Sequence, residues 1–295
     1  AAPGPCAEHV PTHTLRSVED VDDVLTVLDQ AGAELRVVVV GAGFIGLEAV
    51  ENLRARGAQV TLVSRGRQVL SPLDPEMAAP VLRTLRRAGV DVRLGVTITG
   101  AESGRVHLSD GSSIDTVLVV EASGVRPDRS LADAAGIAVG PTGGIAVDRR
   151  HRTSQPHVWA VGDGVEKRDQ LDGAPTLVTM AGLANRHGRA VADDIAGTEP
   201  EDAVPALGTA ILGLLGTTVA LVGWSERRLV AAGRPHRVVH THPASHATYY
   251  PGAESMAMKL LVDPATDRIL GAQIVGGEGV DKRIDVIAVA MAAGL

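Results

Sequence analysis

The sequence predicts an α/β protein, and two regions carry that prediction. Four consecutive valines at 37–40 read as a strand buried on both faces, and a glycine-rich turn, a helical pattern and a second apolar strand at 60–63 follow. This series is typical of a parallel sheet. Beyond a Gly-Thr-Glu-Pro segment, which we interpret as a linker, short strands precede one helix, which indicates an α+β unit. These later elements are strands at 217–222, 236–241, 256–262 and 269–275 and a helix from Asp281.

The other elements follow from periodicity and turn chemistry. Residues 14–31 have a helical pattern with Ser17 as the N-cap. An Asp-Gly pair at 110–111 predicts a hairpin over 105–114. The apolar stripe of the first helix is predicted to be Val18, Val21, Leu25 and Leu28. Further helices are predicted at 46–56, 75–88 and 181–195, and further strands at 90–94, 117–121, 145–147 and 158–161.

The turn after the valine strand has the spacing of a dinucleotide site. Gly41, Gly43 and Gly46 form a G-x-G-x-x-G pattern between a strand and a helix. The first glycine permits a tight turn, the second lets the backbone approach a pyrophosphate, and the third lets the helix pack against the strand. N–H groups at the start of the helix then bind the anion. The predicted nucleotide-binding turn consists of Gly41, Ala42, Gly43, Phe44, Ile45 and Gly46.

The end of the second strand bears on which nucleotide is bound. An NAD site usually has a carboxylate there, which binds the ribose 2′-hydroxyl. Here that position is Ser64, with Arg65 and Arg67 close behind. A hydroxyl and two guanidinium groups favour a 2′-phosphate, so we predict NADP(H), with NAD(H) as the alternative. If this interpretation is wrong, the arginines are solvated loop residues.

Composition argues against several classes of protein. The net charge of −7 argues against a nucleic-acid partner. The longest uncharged stretch, 203–225, is broken by Pro205 and four glycines, so we interpret it as packed strands and expect no membrane partner. A single cysteine, Cys6, permits no disulfide framework, and residues 1–10 lack the pattern of a signal peptide. We therefore expect a cytoplasmic protein.

Two further segments carry a family resemblance. An apolar strand that runs into Gly162-Asp163 resembles the motif by which flavoproteins with two dinucleotide sites hold the ribityl chain of FAD. Gly124-Val125-Arg126-Pro127 resembles the G-x-x-P signature that joins the two domains of such enzymes. In this order the motifs resemble the pyridine nucleotide–disulfide oxidoreductase family. Within it, the likeness is greatest to coenzyme A disulfide reductases and NAD(P)H oxidases, over segments 41–53, 70–81, 181–197, 242–252 and 276–286.

The resemblance implies three domains and a homodimer. A residual FAD-domain or linker segment is expected at 1–13, a Rossmann-like parallel-sheet NAD(P)-binding domain at 14–125, the C-terminal part of an FAD-binding domain at 126–200, and a truncated α+β dimerisation domain at 201–295. The chain does not begin with Met and ends in an apolar helical pattern, so we expect a fragment. The resemblance places the first FAD motif and the redox cysteine upstream, so Cys6 is not expected to be the nucleophile.

The resemblance also implies roles for individual residues near the flavin. Asn185 and Arg186 are expected near FAD or the CoA substrate. Two neighbours depart from the family pattern, because Leu183 replaces a usual proline and His187 a usual glutamine. Residue roles in this segment therefore transfer less directly than those of the glycine turn.

Five other residues receive roles from the resemblance. Glu48 is expected near the nicotinamide and flavin, and Phe44 in place of an aromatic gate; a plain helix glutamate and a packing phenylalanine are the alternatives. Tyr249 is expected to reach across the dimer interface towards the partner's substrate, where a phenol could donate a proton to a sulfur leaving group; packing is the alternative. Lys282 and Arg283 are expected either to bind CoA phosphates or to form a charged first turn.

The function that the resemblance implies is reduction of a coenzyme A disulfide, or of a related persulfide or disulfide. Hydride is then expected to pass from NADPH through FAD to a cysteine sulfur. Two alternatives stay open: an NAD(P)H oxidase that passes electrons to O₂, and a non-catalytic nucleotide-binding or dimerisation module.

Four histidines, at 236, 240, 242 and 246, are candidates for a metal site. His240 and His242 would project to the same face of a strand. No acidic or Cys ligand is close to them in sequence, so no metal site is predicted.

Overall fold

A computed structural model describes residues 8–32, 35–198 and 202–295. Its first part is a five-stranded parallel sheet with strand order β1-β8-β2-β3-β4. A three-stranded antiparallel sheet, β5-β6-β7, lies between β4 and β8 in the chain. The elements are β1 (Thr12–Thr14), α1 (Val18–Gln30), β2 (Arg36–Val40), α2 (Phe44–Ala55), β3 (Gln59–Ser64), α3 (Pro75–Arg87), β4 (Asp91–Leu94), β5 (Ile98–Glu102), β6 (Arg105–Leu108), β7 (Ser113–Asp115) and β8 (Leu118–Glu121).

The first helix corrects two predictions. It begins at Val18, later than the predicted residue 14, because Thr14 pairs with β8 as part of the edge strand. Ser17 does cap it, accepting a hydrogen bond from the backbone N–H of Asp20. The predicted apolar stripe is wrong in part, because Val18 is 73% exposed whereas Val24 and Leu28 are buried. The helix is therefore rotated relative to the predicted stripe.

Residues between the two large sheets have little regular structure. The predicted strands at 145–147 and 158–161 are wrong, since both segments form only isolated bridges. Glycine turns and irregular backbone interrupt the ladders there, so apolar runs of three or four residues do not become strands. The elements present are α4 (Ser130–Ala134), β9 (Lys167–Arg168), β10 (Pro175–Thr176) and α5 (Ala181–Ala196).

The last part is a five-stranded antiparallel sheet with order β11-β12-β15-β14-β13, and a helix packs on it. The four predicted strands and the terminal helix are confirmed, whereas the sequence pattern did not resolve β11 and α6 as separate elements. The elements are β11 (Ala210–Leu214), β12 (Thr217–Gly223), α6 (Glu226–Ala231), β13 (Arg237–Thr241), β14 (Ala257–Val262), β15 (Ile269–Gly276) and α7 (Val280–Ala292).

The main core joins the first sheet to the last one. Helices α1, α2 and α3 pack on one face of the parallel sheet, and the β5–β7 hairpins cover the other. The same core continues into β11 and β12, so the two sheets share buried surface. Its buried members include Val37, Leu47, Leu62, Leu85, Leu212, Leu214 and Val219. Among helices built from the described residues, none has the length and apolarity needed to cross a bilayer.

Candidate functional site

The glycine turn at 41–46 closes against the neighbouring strand. Gly41 has φ of +111°, and a Cβ there would overlap the carbonyl oxygen of Ala122. A Cβ on Gly46 would overlap the carbonyl oxygen of Gly41. A Cβ on Gly43, by contrast, would meet no atom of the described residues within 4 Å. Two glycines thus let the turn close, while the third leaves its outer side open to a ligand.

The start of α2 has the uncapped backbone N–H groups that an anion site requires. Gly43 is its N-cap, and no side chain in the described part of the chain caps the helix. The first-turn N–H groups, from Phe44 onward, are therefore left for a ligand at the positive end of the helix dipole. Three backbone hydrogen bonds of 2.8 Å fix the turn: Gly41 N–H to Val63 O, Ala122 N–H to Val40 O, and Leu70 N–H to Ala42 O.

The strand order defines where a nucleotide would lie. From β2, strands β3 and β4 extend the sheet to one side, and β8 and β1 extend it to the other. Open α/β sheets bind ligands at the carboxyl ends of their strands where the order reverses, which here is the crevice between β2 and β8. The glycine turn lies at that crevice. The topology thus brings the predicted phosphate-binding turn and the end of β3 to one edge.

The residues predicted to distinguish NADP(H) from NAD(H) lie at the end of β3. Ser64 is buried, and its hydroxyl accepts a hydrogen bond of 3.2 Å from the Gly66 N–H. Arg65 and Arg67 are exposed. Gly66 O accepts a 3.0 Å hydrogen bond from Gly95 N–H, so the backbone that carries both arginines is attached to the end of β4. Two guanidinium groups are thus presented at the carboxyl edge on fixed backbone.

Sequence reasoning missed Glu121, the last residue of β8. It pairs with Val40 and with Thr14, so its carboxyl group stands at the same edge as the glycine turn. Burial raises the pKa of Glu121, and a long hydrogen bond of 3.5 Å from the Ser123 hydroxyl offsets this only in part. An acidic residue at the end of an otherwise apolar strand was the available signal.

Glu48 and Ile45 line a groove between α1 and α2. The groove has a volume of about 550 Å³ and reaches Val120 of the sheet. Phe44, at the start of α2, is half-buried and packs against the main core. The packing alternative for Phe44 therefore has a direct structural basis, whereas Glu48 is exposed. Cys6 lies outside the described residues.

The predicted flavin-binding turn has an open backbone. Gly162 has φ of +100°, and a Cβ there would meet no described atom within 4 Å. Asp163 is exposed beside it. Lys167 is buried and donates hydrogen bonds to Gly162 O (2.5 Å) and Val165 O (2.9 Å), which hold this turn. Burial lowers the pKa of Lys167.

The remaining predicted flavin residues lie on two other segments. Gly124 has φ of +112° and is exposed after β8. Asn185 and Arg186 are exposed on α5. His187, one residue on, is buried, and its Nε2 hydrogen-bonds Val204 O at 2.8 Å. The predicted polar residues of α5 are therefore available to a ligand, whereas His187 is used by the fold.

His187 stacks on a second buried histidine, His151, with ring centroids 4.2 Å apart. Burial, followed by the charge of His187, lowers the pKa of His151 to about 4. Burial also lowers the pKa of His187. Both rings border a cavity of about 300 Å³ together with Lys167. His151 is therefore neutral at pH 7.

The predicted substrate residues of the last domain differ in exposure. Tyr249 is 87% exposed on the loop before β14, and Lys282 is exposed on α7. Arg283, in contrast, donates 2.9 Å hydrogen bonds to Ala244 O and Ser245 O. Its guanidinium therefore holds the loop that carries Tyr249, a role that differs from either alternative predicted for it.

A buried ion cluster connects the nucleotide domain to the last domain, and sequence reasoning missed it. Lys259 of β14 is fully buried and binds three carboxylates: Asp74 at 2.9 Å, Glu226 at 2.5 Å, and Glu76. Burial acts to lower the pKa of Lys259, but these carboxylates outweigh it and raise the pKa. Burial acts to raise the pKa of Asp74, yet Lys259 and backbone N–H groups outweigh it and lower the pKa. An ammonium group thus occupies the point where the three carboxylates converge.

Two of the histidines considered as metal ligands flank that cluster. His240 Nε2 lies 3.5 Å from Glu76, and His236 Nε2 lies 3.6 Å from Glu226. The signal in the sequence was a single lysine within the apolar strand pattern of β14. Its partners are more than thirty residues away in the chain, so the pattern alone could not identify them.

Comparison with known proteins agrees with this architecture. The family described as pyridine nucleotide-disulphide oxidoreductase matches residues 2–184, and its dimerisation domain matches residues 213–295. A coenzyme A disulfide reductase of Staphylococcus haemolyticus is 31% identical over 278 residues, which are 94% of this chain and 62% of that protein. The chain therefore spans less than two thirds of that relative's length.

Two solved structures have closely similar folds. Reduced Bacillus anthracis CoADR-RHD superimposes with a TM-score of 0.96 at 39% identity, over all of this chain and 54% of that one. An NAD-dependent persulfide reductase from A. fulgidus gives a TM-score of 0.94 at 34% identity, over all of this chain and 55% of that one.

Proposed function

The chain belongs to the pyridine nucleotide-disulphide oxidoreductase family, and on that premise we propose that it supplies the pyridine-nucleotide site and the dimerisation domain of an FAD-dependent enzyme that reduces a coenzyme A disulfide or a related persulfide. The observation that carries the proposal is the glycine turn, closed by Gly41 and Gly46 and open at Gly43. The named relatives, a coenzyme A disulfide reductase and a persulfide reductase, supply the substrate class.

The glycine turn is proposed to bind the pyrophosphate of the nucleotide, and the end of β3 is proposed to bind its 2′-phosphate. First-turn N–H groups of α2 would bind the pyrophosphate. Ser64, Arg65 and Arg67 would bind a 2′-phosphate, because they offer donors and positive charge where an NAD site usually has a carboxylate. The proposed preference is therefore NADPH over NADH, although one relative is named NAD-dependent.

The residues proposed to bind FAD are Gly124, Gly162, Asp163, Asn185 and Arg186. Their fit to a flavin nucleotide is supported by the open backbone at Gly162 and by the exposed polar side chains around it. FAD, when bound, supplies the two-electron chemistry that couples a nicotinamide to a sulfur–sulfur bond. Lys167 would keep the Gly162 turn in place, and Glu48 would stand near the nicotinamide.

The proposal includes a homodimer and a sulfur site built at its interface. Val286 and Val289 of α7 are 70% and 69% exposed, which supports an apolar contact on that helix. Tyr249, 87% exposed on the loop that Arg283 holds, would reach the partner's substrate and donate a proton or hydrogen bond to the leaving sulfur. Lys282 would add positive charge towards a CoA phosphate. The redox cysteine would come from outside these 295 residues.

Nucleotide binding to the purified chain tests the central part of the proposal. Titration with NADPH and NADH, followed by nucleotide fluorescence, should give tighter binding of NADPH. Ser64→Glu should invert or abolish that preference, because a carboxylate repels the 2′-phosphate. Arg93→Gln, which removes an exposed arginine paired with Asp91 on β4, is the control and should leave the preference unchanged.

Four results separate the alternatives. A yellow protein with visible flavin absorbance that NADPH bleaches supports the flavoenzyme. A colourless chain that binds NADPH supports the alternative that these 295 residues are a non-catalytic nucleotide-binding module. Failure to bind either nucleotide contradicts the proposal. In the complete polypeptide, NADPH consumption that requires O₂ and is not stimulated by coenzyme A disulfide would contradict the substrate assignment.

A further inference from the structure

Residues 65–74, which we call the nucleotide loop, begin with the two arginines and end at the N-cap of α3. Hydrogen bonds attach this loop to other parts of the molecule at its middle and at its far end. Near its middle, Leu70 N–H donates to Ala42 O of the glycine turn at 2.8 Å. Inside the loop, the Gln68 amide donates to Leu73 O at 2.8 Å, and Leu73 N–H donates to Leu70 O at 2.9 Å. The loop is therefore hydrogen-bonded within itself and, through Leu70, to the glycine turn.

The far end of the nucleotide loop is fixed by the last domain. Gln273 of β15 bonds Asp74 twice: its carbonyl accepts the Asp74 N–H at 2.8 Å, and its amide donates to the carboxylate at 2.7 Å. Backbone N–H groups of Glu226 and Arg227 donate to the same carboxylate at 3.0 and 3.3 Å. Asp74 and Gln273 are both buried.

One exposed side chain of the last domain reaches the loop itself. The Arg227 guanidinium donates a 2.5 Å hydrogen bond to Ser71 O. Arg227 is exposed on α6, so this contact is not part of the buried core. Ser71 lies only a few residues beyond Arg67, and the reach of so short a segment is limited, so fixing Ser71 restricts the positions that the arginine backbone can take.

We propose that Arg227 is a positioning residue for nucleotide recognition: from the dimerisation domain it fixes the nucleotide loop so that Arg65 and Arg67 meet the 2′-phosphate. This inference rests on the proposed NADPH site. Arg227 itself contacts no nucleotide in this scheme. It acts by holding Ser71, so its loss should weaken the contacts made by the loop and spare those made by the glycine turn.

The chain offers a matched control one residue away. Arg228 sits on the same short helix and is also exposed, but its guanidinium binds Asp169 at 2.7 Å and stacks on Trp224. Arg228→Ala therefore removes a side chain of α6 whose hydrogen bond and ring contact both lie outside the nucleotide loop. A merely structural role of the helix predicts the same binding change in both variants, whereas positioning predicts a change only in Arg227→Ala.

The experiment measures dissociation constants of NADPH and NADH for the full chain and both variants. Arg227→Ala should weaken NADPH binding by about two- to thirtyfold, the range by which a residue remote from a ligand alters affinity, and should change NADH binding by less than twofold. The affinity of Arg227→Ala for 2′,5′-ADP should fall by the same factor as its affinity for NADPH. Arg228→Ala should leave the NADPH-to-NADH ratio unchanged.

Two further measurements distinguish positioning from direct charge. At about 1 M salt the Debye length is about 3 Å, so a long-range attraction between Arg227 and the nucleotide is screened. The loss of NADPH affinity in Arg227→Ala should persist at that salt concentration, because it comes from the missing hydrogen bond to Ser71. Amide hydrogen exchange in residues 65–74 should also become faster. Wild-type protein that prefers NADPH while Arg227→Ala keeps the same ratio would overturn this inference. Wild-type protein without that preference would instead refute the NADPH proposal.

Discussion

Replacement of Lys259 by methionine should destabilise the protein strongly while keeping side-chain volume similar. Lys259 is fully buried and is the ammonium group bound by Asp74, Glu76 and Glu226. Removing one member of a buried ion network typically costs about 3–5 kcal/mol, since it leaves uncompensated charge behind. The variant tests whether this cluster holds the two domains together.

The exposure of the three carboxylates decides where in this range of about 3–5 kcal/mol the cost of Lys259→Met falls. The side chains of Glu76 and Glu226 are 46% and 36% exposed, so water screens them once the lysine is gone. Asp74 is only 2% exposed and carries the main penalty. It retains N–H donors from Gln273, Glu226 and Arg227, which lessen the cost. We therefore expect Lys259→Met to lose about 3 kcal/mol, the lower end of the range.

Urea denaturation measures this loss, with far-UV circular dichroism and tryptophan fluorescence as two probes. Coincident transitions justify a single free energy of unfolding, and an unchanged slope shows that the same surface is exposed. Adding Asp74→Asn should recover more than half of the loss, because the buried charge disappears while one acceptor remains. The reasoning is refuted if the free energy of unfolding of Lys259→Met lies within about 1 kcal/mol of wild type, which is about a quarter of the typical cost. It is also refuted if the double variant is less stable than Lys259→Met.

The pH dependence gives an independent check on the same variant. In wild type, the lowered pKa of Asp74 contributes stability that is present above the unfolded value of about 3.9 and is lost as the pH falls through the folded value. Without Lys259, burial dominates and raises the pKa of Asp74. The stability difference between wild type and Lys259→Met should therefore shrink between pH 7 and pH 5.

Three other predictions concern separate parts of the chain. Gly43→Ala should fold normally yet weaken NADPH binding, whereas Gly46→Ala should also lower the melting temperature, because only the second Cβ overlaps backbone; equal melting temperatures would contradict this. The lowered pKa of His151 means that stability is present above the unfolded value of about 6.5 and falls as the pH drops towards 4, so His151→Leu should flatten the pH profile of the melting temperature between those limits. Tyr249→Phe should bind NADPH within twofold of wild type but reduce coenzyme A disulfide slowly in the complete polypeptide; an unchanged rate would refute its proton-donor role.

The sequence was most informative where local chemistry decides the structure. The glycine turn, the Asp-Gly hairpin and the predicted strands of the last domain each depend on a few adjacent residues, and all are present. The predicted strands around 145 and 158 are absent, because a strand needs a continuous partner that a short apolar run does not specify. Lys259 lay beyond sequence reasoning for a related reason: its partners come from the starts of two different helices, α3 and α6.

The close approach of Gly41 to Ala122 has a consequence for synthesis of the protein on the ribosome. The strand that leads into Ala122 is made long after the glycine turn, yet β8 is the strand that lies directly beside β2 in the sheet. The turn therefore lacks its neighbouring wall until β8 has emerged and docked. Nucleotide capture by the glycine turn of a nascent chain should accordingly begin only after residue 122 leaves the exit tunnel.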